Sequence, residues 1–242
     1  MILLVDIGNS RTKYLASSQL GTENYQVINN SELNAQWLNR NWLKVEKVIL
    51  ANVSQSAHTD VISEWADVKG VSLVVVESEA QRFGVKSGYQ HPNQLGIDRW
   101  LAIVGAAKLF KSKNILIVDA GTATTFDLLS AEQQHLGGWI LPGIDLLFNS
   151  LLKNTSKIEA EQIKVPALSF GTNTSENVNN ACWAATIGAI ELAVTRATSE
   201  LGYIDFVILT GGNAKNLQSM IQYDTVIENN LIFHGLQRYS QN

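Results

Sequence analysis

The sequence predicts an α/β fold of two similar halves, each with the element order βββαβαβ. The main observation is a repeat: an apolar run that ends in Asp, a glycine-centred turn and a hydroxyl-rich strand occupy residues 2–16 and again 115–129. Each run has the length of a buried strand, and each turn has the composition of a hairpin. A similar series of strands and helices follows each copy. We therefore expect two domains, 1–113 and 114–242, with their glycine turns facing each other across a cleft.

The first half is predicted to open with a three-stranded meander, because apolar or alternating residues occur in three short runs separated by turn residues. Ser31 is expected to cap the first helix. Residues 82–87, a loop that contains residues 89–92, and a helix from Ile97 to Phe110 are expected between the two halves. The other predicted elements are strands at 2–5, 11–16, 25–28, 47–51 and 71–76, and helices at 31–40 and 60–68.

The second half repeats this series and contains one long helix, predicted over 175–201 because small and apolar residues recur there at helical spacing. Another helix is expected after Gly143. Residues 154–170 are polar and irregular, and we expect a mobile insertion. The remaining predicted elements are strands at 115–119, 124–129, 135–140, 206–210 and 225–227, and a helix at 214–222.

Composition excludes several classes of protein. With 242 residues, 45% of them hydrophobic, the chain can bury sizeable cores. The net charge is −4 without a basic cluster, so no nucleic-acid partner is expected. Asp6 interrupts the first apolar run, no segment has the length of a membrane span, and Cys182 is the only cysteine. We expect a cytoplasmic protein without membrane contacts.

The two glycine turns carry the candidate chemistry. Gly8 and Gly121 allow close approach of a ligand to the backbone, and neighbouring hydroxyl and N–H groups can bind phosphate oxygens. Asp6 and Asp119 end their strands, where a carboxylate can hold a cation. One such turn is usually an ordinary hairpin. Two similar turns in one chain favour phosphate binding.

Five motifs occur along the chain: residues 6–13, Gly96–Arg99, 119–125, Gly137-Gly138 with Pro142-Gly143, and Gly211–Ala214. Together they resemble the type III pantothenate kinases, which belong to the acetate/sugar kinase, Hsp70 and actin superfamily. The resemblance spans the chain, and its G-x-D-R element is the most discriminating motif. It implies two ribonuclease H-like (actin-like ATPase) domains and ATP-dependent phosphorylation of the primary hydroxyl of pantothenate, the first step of coenzyme A synthesis.

The resemblance also implies roles for individual residues and a homodimer. Asp98 would be the catalytic base, Asp6 the carboxylate near Mg²⁺, and Asp119 the ligand of a monovalent cation, K⁺ or NH₄⁺. Pantothenate contacts would come from Tyr89, Gly96, Ile97, Asp98, Arg99 and Thr174. ATP contacts would come from Asp6, Ile7, Gly8, Asn9, Ser10, Arg11, Thr12, Lys13, Gly121, Thr122, Gly211 and Gly212.

These residues also have simpler structural interpretations. Asp98 could be a helix-start carboxylate beside a surface Arg99, and Asp119 could cap a turn. Lys13 could be a solvated strand residue. Of the four histidines, only His91, beside Tyr89, is expected near a substrate. The alternative functions are a sugar or small-alcohol kinase of the same superfamily and an actin-like nucleotide switch without an acceptor.

Overall fold

The computed structural model describes residues 1–22, 25–163, 165 and 167–241, and it contains two compact units. The first unit comprises Met1–Lys111, Gln133–His135 and the C-terminal segment from Asn230. The second comprises Ser112–Glu132 and Leu136–Asn229. The domain limits predicted from the sequence stay a prediction.

The first unit contains a five-stranded mixed sheet in the order β3-β2-β1-β4-β5. The central strand β1 runs antiparallel to β2 and parallel to β4. Apolar residues of β1 and β4 pack against two helices, α1 and α2, in one core that includes Trp42 and Trp65. The elements are β1 (Ile2–Ile7), β2 (Arg11–Ala16), β3 (Gln26–Asn29), α1 (Ala35–Asn41), β4 (Lys47–Asn52), α2 (Ser56–Lys69) and β5 (Ser72–Val75).

One prediction for this unit is wrong in detail. The cap of α1 is Asn34, not Ser31, because the Asn34 side chain accepts a hydrogen bond from Trp37 N at 2.9 Å. Residues 30–32 instead form a 3₁₀ turn. Residues 81–86, to which no secondary structure is assigned from the sequence, form a short hairpin of β6 (Gln81–Arg82) and β7 (Val85–Lys86).

Helix α3 (Ile97–Leu109) is the most buried helix of the first unit, and it packs on α7 (Leu231–Arg238). A Cβ atom at Gly105 would overlap the carbonyl oxygen of Leu231, and one at Gly235 would overlap that of Leu101. The two glycines therefore allow the helix backbones to touch. The sequence analysis does not predict a helix over the residues of α7.

The second unit repeats the sheet order as β10-β9-β8-β11-β12, which confirms the predicted repeat of topology. Its core lies between the sheet and α4 and α5, and includes Phe126, Phe148 and Trp183. The elements are β8 (Ile115–Ala120), β9 (Ala123–Leu129), β10 (His135–Pro142), α4 (Ile144–Asn154), α5 (Thr174–Leu201), β11 (Phe206–Thr210), α6 (Ala214–Gln218) and β12 (Thr225–Ile227).

The described residues between α4 and α5 form neither helix nor strand, as predicted, but α5 binds part of them. The Asn179 side chain donates to Glu161 O at 2.8 Å and accepts from Ile163 N at 2.9 Å. Asn180 donates to Ser169 O at 2.9 Å. Residues 164 and 166 lie outside the described part. The predicted mobility of the insertion stays a prediction.

Two further observations bear on the character of the chain. Cys182 is buried in the second core, and burial raises the pKa of its thiol, which makes it a packing residue rather than a nucleophile. Within the described residues, the helices are too short or too polar to cross a membrane.

Candidate active site

The first glycine turn joins β1 to β2. Gly8 N donates to Arg11 O at 2.9 Å, which closes the hairpin, and Asn9 and Ser10 are exposed at its tip. Asp6 is only 5% exposed at the end of β1, opposite Lys13 on β2. The turn therefore presents open backbone groups next to a buried carboxylate, as a phosphate site with a nearby cation requires.

The remaining predicted residues of this turn differ in exposure. Ile7 and Thr12 have no exposed surface, so they support the hairpin from inside. Arg11 is exposed. The Lys13 ammonium lies 5.2 Å from the ring centroid of Tyr25, a cation–π contact that fixes its position on the strand.

Asn30, the residue that follows β3, supports this turn. The sequence analysis did not predict this role. Its side-chain amide donates to Gly8 O at 2.8 Å, and its side-chain oxygen accepts from the buried Thr12 hydroxyl at 2.8 Å. Its backbone N–H donates to Ser10 O at 3.0 Å. One residue thus bonds to three positions of the turn. An Asn in an Asn-Asn-Ser-Glu run carries no signal of this role.

Asp98 lies in the first turn of α3, where the helix N-terminus favours a carboxylate. Its Oδ1 accepts the Arg99 N–H at 2.8 Å. A Cβ atom at Gly96 would lie 2.7 Å from the same oxygen, closer than real Cβ contacts. Gly96 is therefore the residue that lets this carboxylate fold back over the start of the helix.

Arg99 is buried, at 5% exposure, and its side chain points to Tyr89. Nη1 donates to the Tyr89 hydroxyl at 2.6 Å, and the guanidinium carbon lies 5.6 Å from the Tyr89 ring centroid. The alternative of a surface arginine is therefore wrong. His135 is fully buried and stacks on Tyr89 with centroids 6.0 Å apart, whereas His91 is exposed.

The second glycine turn, in the second unit, surrounds Asp119. Gly121 N donates to Ala123 O at 3.0 Å, and a Cβ atom at Gly121 would lie 3.6 Å from Asp119 Oδ1. Gly211, with φ of 85°, packs on the same carboxylate, since its Cβ would lie 2.5 Å from Oδ1. Gly143 N donates to Thr122 O at 3.0 Å. Two glycine-containing segments therefore adjoin one carboxylate, and a third, at Gly143, packs on the turn beside it.

Thr174 is exposed at the start of α5, in the second unit. The helix is capped by Asn173, whose side chain accepts from Glu176 N at 3.0 Å. Glu176 accepts from Thr172 N at 2.7 Å, and this backbone hydrogen bond, followed by side-chain bonds, lowers the pKa of the Glu176 carboxyl. The cap holds residues 172–176 in a defined conformation.

The structure thus brings several predicted residues together within each unit. In the first unit Tyr89, Gly96, Asp98 and Arg99 surround the start of α3, with Ile97 buried in its first turn. In the second unit Gly121 and Gly211 adjoin Asp119, and Gly212 follows in the turn after β11. Among the described residues there is no group of three or more His, Cys, Asp or Glu suited to a metal. A metal held by Asp6 or Asp119 would need further ligands from substrate or water.

Comparison with known proteins identifies the family. The sequence profile of the type III pantothenate kinases matches residues 2–196, and the curated type III pantothenate kinase of Colwellia psychrerythraea is 47% identical over 99% of this chain and 100% of that protein. The chain belongs to the type III pantothenate kinase family. Membership of a kinase family implies the use of ATP and, in general, of a divalent metal ion.

Solved structures share the fold of this chain. A Campylobacter jejuni protein of the Baf family, 22% identical, superposes with a TM-score of 0.63 over 99% of this chain and 97% of that one. Acetate kinase from Entamoeba histolytica, 9% identical, superposes with a TM-score of 0.52 over 100% of both chains. The predicted actin-like ATPase fold is confirmed.

Proposed function

We propose that this type III pantothenate kinase transfers the γ-phosphoryl group of ATP to the primary hydroxyl of pantothenate, the first step of coenzyme A synthesis. A new oxygen–phosphorus bond forms, ADP leaves, and the hydroxyl proton passes to a base. The family match over residues 2–196 carries this proposal. The arrangement at the start of α3 supports it, because it offers a carboxylate beside a buried cation.

Asp98 is the proposed base. It is partly exposed, and a carboxylate has about four acceptor positions, so the bond from Arg99 N leaves capacity for a substrate hydroxyl. Because phosphoryl transfer depends mainly on positioning and charge compensation, a fixed base is sufficient for the proton. Gly96 contributes by leaving room for the carboxylate.

Arg99 and Tyr89 are the proposed recognition groups for the carboxylate of pantothenate. An arginine presents five N–H donors in a rigid plane that suits a carboxylate. The hydrogen bond to the hydroxyl of Tyr89, whose ring stacks on His135, holds the guanidinium in position. Ile97 is assigned to packing beside them, and Thr174 is assigned a contact with the same substrate on the family resemblance.

The glycine turns are assigned to ATP and its cations. Asn9 and Ser10 offer exposed backbone and side-chain donors for phosphate oxygens, Gly8 closes the hairpin that presents them, and Arg11 and Lys13 follow on the next strand. Gly121, Thr122, Gly211 and Gly212 are assigned to the nucleotide in the second unit. Ile7 and Thr12 hold the first turn in shape.

Asp6 and Asp119 fit the two proposed cations. Asp6 is buried and acidic, so a bound Mg²⁺ would compensate its charge; this ion supplies charge neutralisation for the phosphates during transfer. At Asp119, Gly121 and Gly211 let backbone approach the carboxylate closely, since a Cβ atom on them would lie 3.6 Å and 2.5 Å from Oδ1. The monovalent cation, K⁺ or NH₄⁺, is assigned to this carboxylate on the family resemblance.

We also propose a homodimer that forms through the second unit. Large apolar side chains are exposed on β10, α4 and α5, and such surface favours association. Light scattering at micromolar protein should give twice the chain mass of 26.6 kDa; particles of one chain mass would refute the dimer. The exposed residues are Trp139, Ile140, Leu146, Leu151 and Leu192.

An acceptor panel tests the function. ATP consumption is measured with pantothenate, glucose, glycerol and an N-acetylated sugar, and the phosphorylated product is identified by mass spectrometry. We expect ATP consumption with pantothenate and with none of the other three acceptors. Turnover with a sugar instead would indicate a small-alcohol kinase, and slow ATP hydrolysis without any acceptor, together with sedimenting polymers, would indicate an actin-like switch. A cytoplasmic location stays a prediction, which cell fractionation would check.

A further inference from the structure

The first unit contains a polar pocket, which lies at the opposite end of α3 from Asp98. Lys108 is ten residues further along this helix, about 15 Å at 1.5 Å per residue. The pocket has a volume of about 690 Å³, within the range of small-molecule sites. We call it the α3–α7 basic pocket, and its principal lining residues are Phe83, Lys108, Lys111, Gln133, Gln237 and Arg238.

The charge of this pocket is positive. Lys108, Lys111 and Arg238 line it, and in the described part of the chain no Asp or Glu does. Burial, followed by the charge of Arg238, lowers the pKa of the Lys108 ammonium, and burial lowers the pKa of Arg238. Crowded, partly desolvated cations are unfavourable by themselves, and a bound anion would compensate them.

The side chains of Lys108 and Arg238 are held in place by specific contacts. Lys108 Nζ donates to Gln237 Oε1 at 2.5 Å, and the Gln237 amide donates in turn to Ser17 O at 3.2 Å. Arg238 Nη2 donates to Phe83 O at 3.1 Å, and its guanidinium carbon lies 4.4 Å from the Phe83 ring centroid. An ammonium has three donors and a guanidinium five, so most remain for a ligand.

The backbone around the pocket adopts a rarely populated conformation at two residues. Phe83 has φ of 53° and Gln133 has φ of 62°, in the left-handed region that side chains other than Gly, Asn and Asp avoid. In the β6–β7 turn, this conformation at Phe83 accompanies its contact with Arg238. Because Gly84 also has a positive φ, 86°, Phe83 and Gly84 form the two-residue turn of this hairpin, and the turn places the Phe83 ring against Arg238.

We propose that the α3–α7 basic pocket binds a small metabolite that carries a terminal phosphate or pyrophosphate group. Three cations from separate positions of the unit match the charge of such a group, and a fixed guanidinium suits its oxygens. The volume leaves room for an attached organic moiety. A lysine and an arginine near helix C-termini also stabilise helices. The experiment must therefore separate ligand binding from helix stabilisation.

The experiment uses the full chain with its ATP site saturated by a non-hydrolysable ATP analogue. Inorganic pyrophosphate is then titrated at constant ionic strength, and binding is followed by calorimetry. We expect one further site. The variants Lys111→Gln, Lys108→Gln and Arg238→Gln should each lower the affinity of this site about tenfold, because each removes a charge-assisted hydrogen bond. Lys69→Gln is the matched control, since Lys69 is exposed in the last turn of another helix of the same unit.

Two outcomes would overturn the proposal. One is the absence of a further pyrophosphate site in the saturated wild-type protein. The other is unchanged affinity in Lys111→Gln, whose exposed side chain can be replaced without disturbing the core, together with unchanged affinity in Lys108→Gln. Thermal melting of each variant without ligand is measured in parallel. A fall in melting temperature without a change in affinity would assign these cations to helix stabilisation alone.

Discussion

Replacement of Asn30 tests how the first glycine turn is held in shape. Asn30→Ala removes the side-chain bonds to Gly8 O and from the Thr12 hydroxyl. Each such bond contributes about 1 kcal/mol, and the Thr12 hydroxyl, which has no exposed surface, would be left without this acceptor, at about 1–3 kcal/mol. We therefore expect the free energy of unfolding to fall by about 2–4 kcal/mol.

The same change should weaken ATP binding, because the turn that we assign to the phosphates loses its support. Asn30→Asp is the informative companion, since it keeps the acceptor for Thr12 but turns an oxygen towards the carbonyl oxygen of Gly8. Urea unfolding gives the free energy, and calorimetry gives the ATP affinity. Asn29→Ala is the control, because Asn29 is exposed and bonds only to Glu32 among the side-chain contacts seen.

Two results would contradict the role proposed for Asn30. If Asn30→Ala unfolds at the same urea concentration as the wild type and binds ATP equally well, the turn is held by its own backbone hydrogen bonds. If stability falls while ATP affinity is unchanged, Asn30 is structural and the phosphates bind elsewhere.

Three further predictions concern the base, the cation and the helix contact. Asp98→Asn should lower kcat by roughly 10²–10⁴-fold while ATP affinity and melting temperature are retained; a near-wild-type kcat would show that Asp98 is only a helix-start carboxylate, for which Asn is also a good cap. Activity should be higher in K⁺ or NH₄⁺ than in Na⁺ at equal ionic strength, and Asp119→Asn should remove the difference; equal rates in all three salts would count against the cation. Gly235→Ala should lower the free energy of unfolding by about 1–3 kcal/mol, because its methyl group would overlap the Leu101 carbonyl, whereas the control Gly188→Ala, with no neighbour within 4 Å, should be neutral or stabilising in urea unfolding. Equal stability of the two glycine variants would mean that α7 can move away from α3 at no cost.

Local patterns made much of this structure predictable. The two hairpins around Gly8 and Gly121, the strands beside them and the long helix α5 follow from apolar periodicity and turn residues within short stretches. Each stretch carries its own signal, since burial of one face imposes a period of two on strands and 3.6 on helices. Asp98 and Arg99 could be singled out because their motif is contiguous in the chain.

Other features depend on residues that are distant in sequence, and only the tertiary structure decided them. Helix α7 has eight residues, too few to be stable alone, and it exists through the contact of Gly235 with α3. Asn30 meets Gly8 through a sheet register, and His135 reaches Tyr89 across 46 positions of the chain. The α3–α7 basic pocket combines residues from five separate segments. Such contacts leave no periodic trace in the sequence, because each is specified by the packing of whole elements rather than by its neighbours along the chain.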